Sequence, residues 1–157
     1  MTNSSEKDNI IIRRDDTGDS LRRIVDLDRE CFPSESWGST VWSGLFDNRQ
    51  HTVFLADFRN GLVGYCTLIS TVPEAEILRI GVITEFRRRS IGTNLLNSVI
   101  HDLKSKGISE LFLEVRSDNR PACELYWKYG FNRIGERKQY YKTPPGDALI
   151  FQRLIIQ

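Results

Sequence analysis

Apolar residues recur along the chain at two spacings, and the two spacings predict its elements. Period-two alternation and short branched apolar runs mark strands; apolar residues at i, i+3, i+4 and i+7 mark helices. Strand patterns occur at "IIIRR" from Ile10, "TVFLADF" from Thr52, "VGYCTLIST" from Val63 and "AEILRIGV" from Ala75. Three more follow: "ELFLEV" from Glu110, "FNRIGERKQYY" from Phe131 and "ALIFQRLII" from Ala148. Leu21, Ile24, Val25 and Asp28 stand at helical offsets behind Asp19 or Ser20 as a cap. "PSESWGSTVWSGLF" from Pro33 reads as a second short helix interrupted near Gly38. In "SIGTNLLNSVIHDLKSKG", Ile91, Leu95, Leu96, Val99, Ile100 and Leu103 share one face, and Gly107 is placed to end the helix. Asn119 caps a fourth helix with Pro121 in its first turn, and Gly130 terminates it. Asn60-Gly61, between two strand patterns, is a hairpin signal. Strands mixed with helices, one hairpin early and one late, predict an α/β or α+β sheet with helices on its faces.

Composition narrows the picture. The chain has 157 residues, 39% hydrophobic and 10% aromatic, which suits one domain with a sizeable core. Residues 1–8 read as a polar, disordered tail and 9–157 as a single domain. The net charge is +1, so nothing about the whole chain argues for nucleic acid. No apolar run has the length of a membrane span, and no signal-peptide pattern is present. Three widely spaced cysteines, Cys31, Cys66 and Cys123, form neither a metal motif nor a disulfide framework; a reducing cytoplasm is the expected compartment. Two distant histidines, His51 and His101, give little support to a metal site or a histidine triad.

The basic character is local. In "EFRRRSIGTNLL", Arg87, Arg88 and Arg89 precede Ser90 and the start of a helix. A helix N-terminus offers unpaired N–H groups and the positive end of the dipole, and both favour an anion, phosphate above all. Gly92 lets the backbone approach it closely. The competing reading is a solvated basic turn. No Gly-Lys-Ser/Thr follows, and the three-glycine dinucleotide spacing is missing, so neither a Walker loop nor a dinucleotide fold is indicated. A second group of candidates lies in "LEVRSDNRPACELYWKYGF". Glu114, at a strand end, is placed to act as a base, or is simply an outward charge on an alternating strand. Tyr126, on the following helix, is a candidate proton donor, or a core aromatic. Asn119 needs no role beyond its cap.

Together these segments resemble the GNAT superfamily of acetyl-CoA-dependent N-acetyltransferases. That family's phosphate loop reads Arg/Gln-x-x-Gly-x-Gly/Ala. Arg87-Arg88-Arg89-Ser90-Ile91-Gly92 matches it with one departure, Ser90 in place of Gly. The Glu114–Phe131 run, the "ERKQYYKTPPGDALIFQRL" ending and Phe32, Pro33 and Trp37 of "CFPSESW" are most similar to the ribosomal-protein alanine N-acetyltransferases. The likeness runs from about Ile11 to Leu154. It implies a mixed, mostly antiparallel sheet with a splayed parallel strand pair and helices on both faces. It implies acetyl-CoA as cosubstrate, with no metal. The pantetheine arm would meet backbone groups of Ile80 and Val82. The pyrophosphate would meet Arg87, Arg88, Arg89, Ser90, Ile91, Gly92 and Thr93, and Asn119 would contact the pantetheine. It gives Glu114 the role of base and Tyr126 that of proton donor to the leaving thiolate.

The implied reaction is direct attack of an amine on the thioester in a ternary complex, the acceptor being a protein N-terminus, a ribosomal protein by likeness. Neither nucleic acid nor membrane is an expected partner. Tyr140 and Tyr141 are expected to begin a loop beside the acceptor, with at least one of them packing in the last hairpin. Where the loop position of Ser90 needs φ > 0, serine carries a strain of order 1 kcal/mol. Two other readings stay open: a small-amine acetyltransferase with a closed, acidic acceptor pocket, and a non-catalytic acyl-CoA-binding module.

Overall fold

The computed structural model describes residues 9–156; the expected tail at residues 1–8 lies outside them. Among the described residues, seven strands and four α-helices follow one another. They are β1 (Ile10–Arg14), α1 (Leu21–Cys31), α2 (Ser39–Phe46), β2 (His51–Phe58), β3 (Gly61–Thr71) and β4 (Glu74–Val82), then α3 (Ile91–Ser105), β5 (Glu110–Arg116), α4 (Arg120–Lys128), β6 (Asn132–Lys142) and β7 (Pro145–Leu154). The sheet order is β1-β2-β3-β4-β5-β7-β6. β1 with β2, β5 with β7 and β6 with β7 pair antiparallel. β4 and β5 run parallel, as a crossover through a helix requires, and α3 is that helix. Their register couples Glu74–Ile77 to Glu110–Leu113; β4 itself runs on to Val82 and β5 to Arg116.

The chain divides into two compact units, residues 9–67 with Arg79–Val99, and Leu68–Leu78 with residues 100–156. In the first, α1 lays Ile24, Val25 and Leu27 on Val53 and Leu55 of β2, with Trp42 of α2 and Tyr65 of β3. Trp42 meets Tyr65 edge-on at 5.6 Å between ring centres. In the second, β5 alternates as predicted and buries Leu111, Leu113 and Val115. Tyr126 of α4 packs edge-on against Phe131 at 5.5 Å and lies 6.1 Å from Phe151 of β7.

Four local expectations change. The β2–β3 turn consists of Arg59 and Asn60, with Arg59 taking the left-handed conformation (φ 54), and Gly61 begins the strand. Gly38 does not interrupt α2 but precedes it as an extended N-cap. A short 3-10 turn, Thr84–Phe86, lies between β4 and the basic loop. Ser20 is the α1 cap residue, yet its hydroxyl donates to Asp15 rather than capping the helix.

Candidate active site

In the first unit the basic loop is shaped by its backbone. After the 3-10 turn, Arg87 is extended (φ −67, ψ 157), Arg88 is left-handed (φ 62), and Ser90 is left-handed again (φ 62). The Ser90 carbonyl accepts the Asn94 amide at 2.9 Å, the first hydrogen bond of α3, so the chain enters the helix at Ile91. Ile91 is buried and anchors that entry, while Gly92 and Thr93 are half-buried. The amides of a first helical turn have no partner within the helix and point out of its end. Exposed arginines flank them. Arg87 Nε donates to the Val82 carbonyl at 3.1 Å, and the Arg89 guanidinium lies over the Phe86 ring at 4.8 Å. Geometry and charge therefore fit a pyrophosphate here, and the position that the family fills with glycine does require φ > 0.

Behind this loop β4 is fixed by a buried group that the sequence reading did not single out. Asp28 of α1 is fully buried. Its Oδ2 accepts the Trp37 amide at 2.6 Å and Trp42 Nε1 at 3.3 Å. Its Oδ1 accepts the Tyr65 hydroxyl and Arg79 Nη1, the latter at 2.9 Å. Arg79 reaches from β4 between the rings of Phe32 (4.5 Å) and Trp37 (4.1 Å), and its Nη2 donates to the Glu35 carbonyl at 3.0 Å. Burial pushes the Tyr65 phenol far above the ordinary tyrosine value, and its hydrogen bond to Asp28 adds to the rise, so it stays a donor. Tyr65 lies so close under Gly81 that a Cβ there would stand 2.6 Å from its ring. The isolated glycine inside the "LRIGV" strand pattern was the available signal for such a close approach. The Ile83 amide donates to Val63 of β3 at 3.0 Å. Alternation along an antiparallel strand then turns the Val82 and Ile80 amides away from β3.

The second unit holds Glu114. Arg137 of β6 donates Nε to Glu114 Oε1 at 2.7 Å, and the Tyr140 side chain lies beside the same carboxylate. The Glu114 charge beside it, followed by burial, raises the Tyr140 phenol above its usual value, so it too stays protonated. A cavity of about 380 Å³ opens here, its wall including Glu74, Glu76, Phe112, Glu114, Arg137 and Ile150. Burial first, then the Glu114 charge, raises Glu76 above the ordinary carboxylate range. Arg137 and Glu76 were missed because their link to Glu114 crosses strands remote in sequence. Asn119 caps α4, its Oδ1 accepting the Ala122 amide at 3.3 Å. Tyr126 is 8% exposed. Tyr140 and Tyr141 both belong to β6 rather than to a loop, Tyr140 within an irregular stretch of the strand and Tyr141 where pairing with β7 resumes. Tyr140 is half exposed and turns to Glu114; Tyr141 lies under the Arg116 guanidinium at 4.6 Å. Among the described residues no group of three or more His, Cys, Asp or Glu is arranged to hold a metal, and no helix is long and apolar enough to cross a membrane.

A family model, the acetyltransferase (GNAT) family, matches residues 21–131. The chain belongs to the GNAT acetyltransferase family. A Bacillus subtilis (strain 168) relative is 30% identical over 132 residues, 84% of this chain and 87% of its own length. The [ribosomal protein bS18]-alanine N-acetyltransferase of Escherichia coli (strain K12) is 39% identical over 95 residues. That match spans 59% of this chain and 64% of the E. coli protein, just under two thirds. The crystal structure of the ribosomal-protein-S18-alanine N-acetyltransferase from Escherichia coli superposes with a TM-score of 0.87 at 24% identity, over 95% of this chain and 96% of that one. The likeness gives the GNAT fold, with the mixed sheet and parallel pair described above. As a GNAT member the chain is an N-acetyltransferase, not a non-catalytic module.

Proposed function

We propose that residues 9–157 act as one catalytic domain that acetylates the α-amine of a protein N-terminus. By likeness to the E. coli relative, the target is an alanine of a ribosomal protein, and the compartment is the cytoplasm. The observation that carries this reading is the Glu114 carboxylate, held by Arg137 in the wall of a cavity, with the Tyr140 side chain beside it. Acetyl-CoA supplies the activated acyl group as a thioester.

Most of the donor contacts come from the first unit. Arg87, Arg88 and Arg89, with the amides of Ser90, Ile91, Gly92 and Thr93, take the pyrophosphate. Ile80 and Val82 meet the pantetheine through their backbone, and Asn119 adds a polar contact. The Val82 N–H polarises the thioester carbonyl. As the amine nitrogen bonds to the carbonyl carbon, Glu114 takes its proton through a water, and the carbon–sulfur bond breaks. Tyr126 protonates the departing sulfur from a position shielded from water. Tyr140 offers the acceptor peptide an apolar ring and a hydroxyl. An α-amine suits one carboxylate and a water. Its pKa of about 8 leaves roughly a tenth neutral at pH 7, against about 0.04% for a lysine near 10.4.

Replacing Glu114 by Gln is expected to lower kcat by roughly 10²–10⁴ with little change in the acetyl-CoA KM; the Tyr126→Phe enzyme should lose turnover while keeping its ring packing. Stopped assays on both variants, with folding checked by circular dichroism, read this out. Wild-type turnover in both returns Tyr126 to the core and Glu114 to a structural ion pair.

The acidic wall of the cavity favours a second reading, acceptance of a small polyamine. Faster acetylation of spermidine than of any peptide N-terminus would select it.

A further inference from the structure

We propose that Asp28 is a positioning residue for acetyl transfer: through Arg79 and Tyr65 it fixes the rotation of β4, and so the direction of the Val82 N–H. The inference rests on the reading that Val82 polarises the thioester. Asp28 is a fully buried carboxylate that the mechanism does not use and that touches no reacting atom. Its oxygens hold two consecutive inward-facing positions of β4. Arg79 is bound to Oδ1 directly at 2.9 Å. Gly81 is seated on the Tyr65 ring, whose hydroxyl is tied to the same oxygen. In a strand, fixing residues i and i+2 on one face fixes the backbone plane between and beyond them. The amides concerned are those of Ile80 and Val82, which point away from β3.

The other oxygen of Asp28 takes the Trp37 amide and the Trp42 indole, so the α1–α2 connection is tied to the same carboxylate. Arg79 completes the tie by stacking between Phe32 and Trp37 and donating to the Glu35 carbonyl. A scaffold made only for stability would bury apolar residues here, since a buried ion pair is a poor source of stability. What the network does supply is a single register between α1, the Phe32–Trp37 segment and β4, because each donor has only one geometry that satisfies it. A hydrogen-bond donor aimed at a developing oxyanion loses most of its effect when displaced by about 1 Å, on the order of 10² in rate.

The test uses the full chain and compares Tyr65→Phe, Asp28→Asn and Arg79→Met, assayed well below each variant's melting temperature. Tyr65→Phe keeps the ring under Gly81 and removes a single hydrogen bond, so it remains informative if Asp28→Asn does not fold. The expected result is a fall in kcat of about tenfold to a hundredfold in Asp28→Asn and Arg79→Met and severalfold in Tyr65→Phe, with the acceptor KM changed less than kcat. Arg79→Lys should recover part of the loss, and the Asp28→Asn/Arg79→Met double variant should be no slower than either single one. Wild-type kcat in folded Tyr65→Phe and Arg79→Met, with only the melting temperature lowered, would overturn the proposal and leave Asp28 a structural group. Wild-type protein that transfers acetyl to no amine would instead overturn the catalytic reading on which it rests.

Discussion

Ser90 is where one residue carries the most information. Its φ of 62 is a conformation that serine adopts at a cost of order 1 kcal/mol and glycine adopts freely. Ser90→Gly is therefore expected to leave CoA affinity unchanged or to tighten it, because the loop amides reach the same positions without strain. Isothermal calorimetry with CoA measures this; a severalfold loss would make the Ser90 hydroxyl a phosphate ligand instead. The loop was legible locally as a candidate anion site, since arginines, a small residue and a helix start fall within a few positions. Glu114 was legible as a carboxylate at a strand end, and its proposed role as base came from the family resemblance. Arg137 and Glu76 were not, because they join Glu114 across β-ladders whose register no local pattern carries. Asp28 was legible only as a polar residue on the apolar offsets of α1. What such a residue means depends on Arg79, 51 positions away.

Among elements, the entry to α1 shows how an acid can replace a cap. Asp15 accepts the Thr17 and Gly18 amides and the Thr17 hydroxyl on Oδ1, each at 3.0 Å. Its Oδ2 accepts the Ser20 amide at 3.1 Å and the Ser20 hydroxyl. Burial alone would raise this carboxyl; the hydrogen bonds from Ser20 and Thr17 outweigh it and bring it down to about 2. The unfolded chain takes up a proton first as the pH falls. The contribution is thus complete above pH 4 and disappears between about pH 4 and pH 2. It is worth roughly 2 kcal/mol. Urea denaturation of Asp15→Asn should show a loss of that order at pH 7, and the gap to wild type should close near pH 2. A gap that stays constant over this range would assign the loss to shape alone. The sequence predicted the helix and offered Asp19 or Ser20 as its cap; it did not predict that the Ser20 hydroxyl turns back to Asp15, since that bond depends on a turn closed by Gly18 at φ 80.

For the whole molecule, the strand and helix order followed from hydrophobic period, and the parallel pair was expected from the family resemblance. The β6–β7 hairpin followed as well; the bulges in its ladder and the reach of Arg137 across β7 did not. Donor binding is a property at this scale. Acetyl-CoA at a hundred times its Kd is expected to add about 2.7 kcal/mol to folding stability. The added stability should shrink as salt rises from low to physiological, because the arginines contribute part of the affinity. Thermal melts with and without acetyl-CoA at two salt concentrations test this, and the absence of any shift at millimolar acetyl-CoA would contradict it.

The central claim is transfer to an α-amine. It is tested most directly by incubating the protein with acetyl-CoA and a peptide that has a free N-terminal alanine and an internal lysine, then locating the new acetyl group by tandem mass spectrometry. The account predicts one added acetyl group on the alanine nitrogen, and none when that nitrogen is blocked beforehand. Acetyl on the lysine Nζ, or equal acetylation of the blocked peptide, would contradict it.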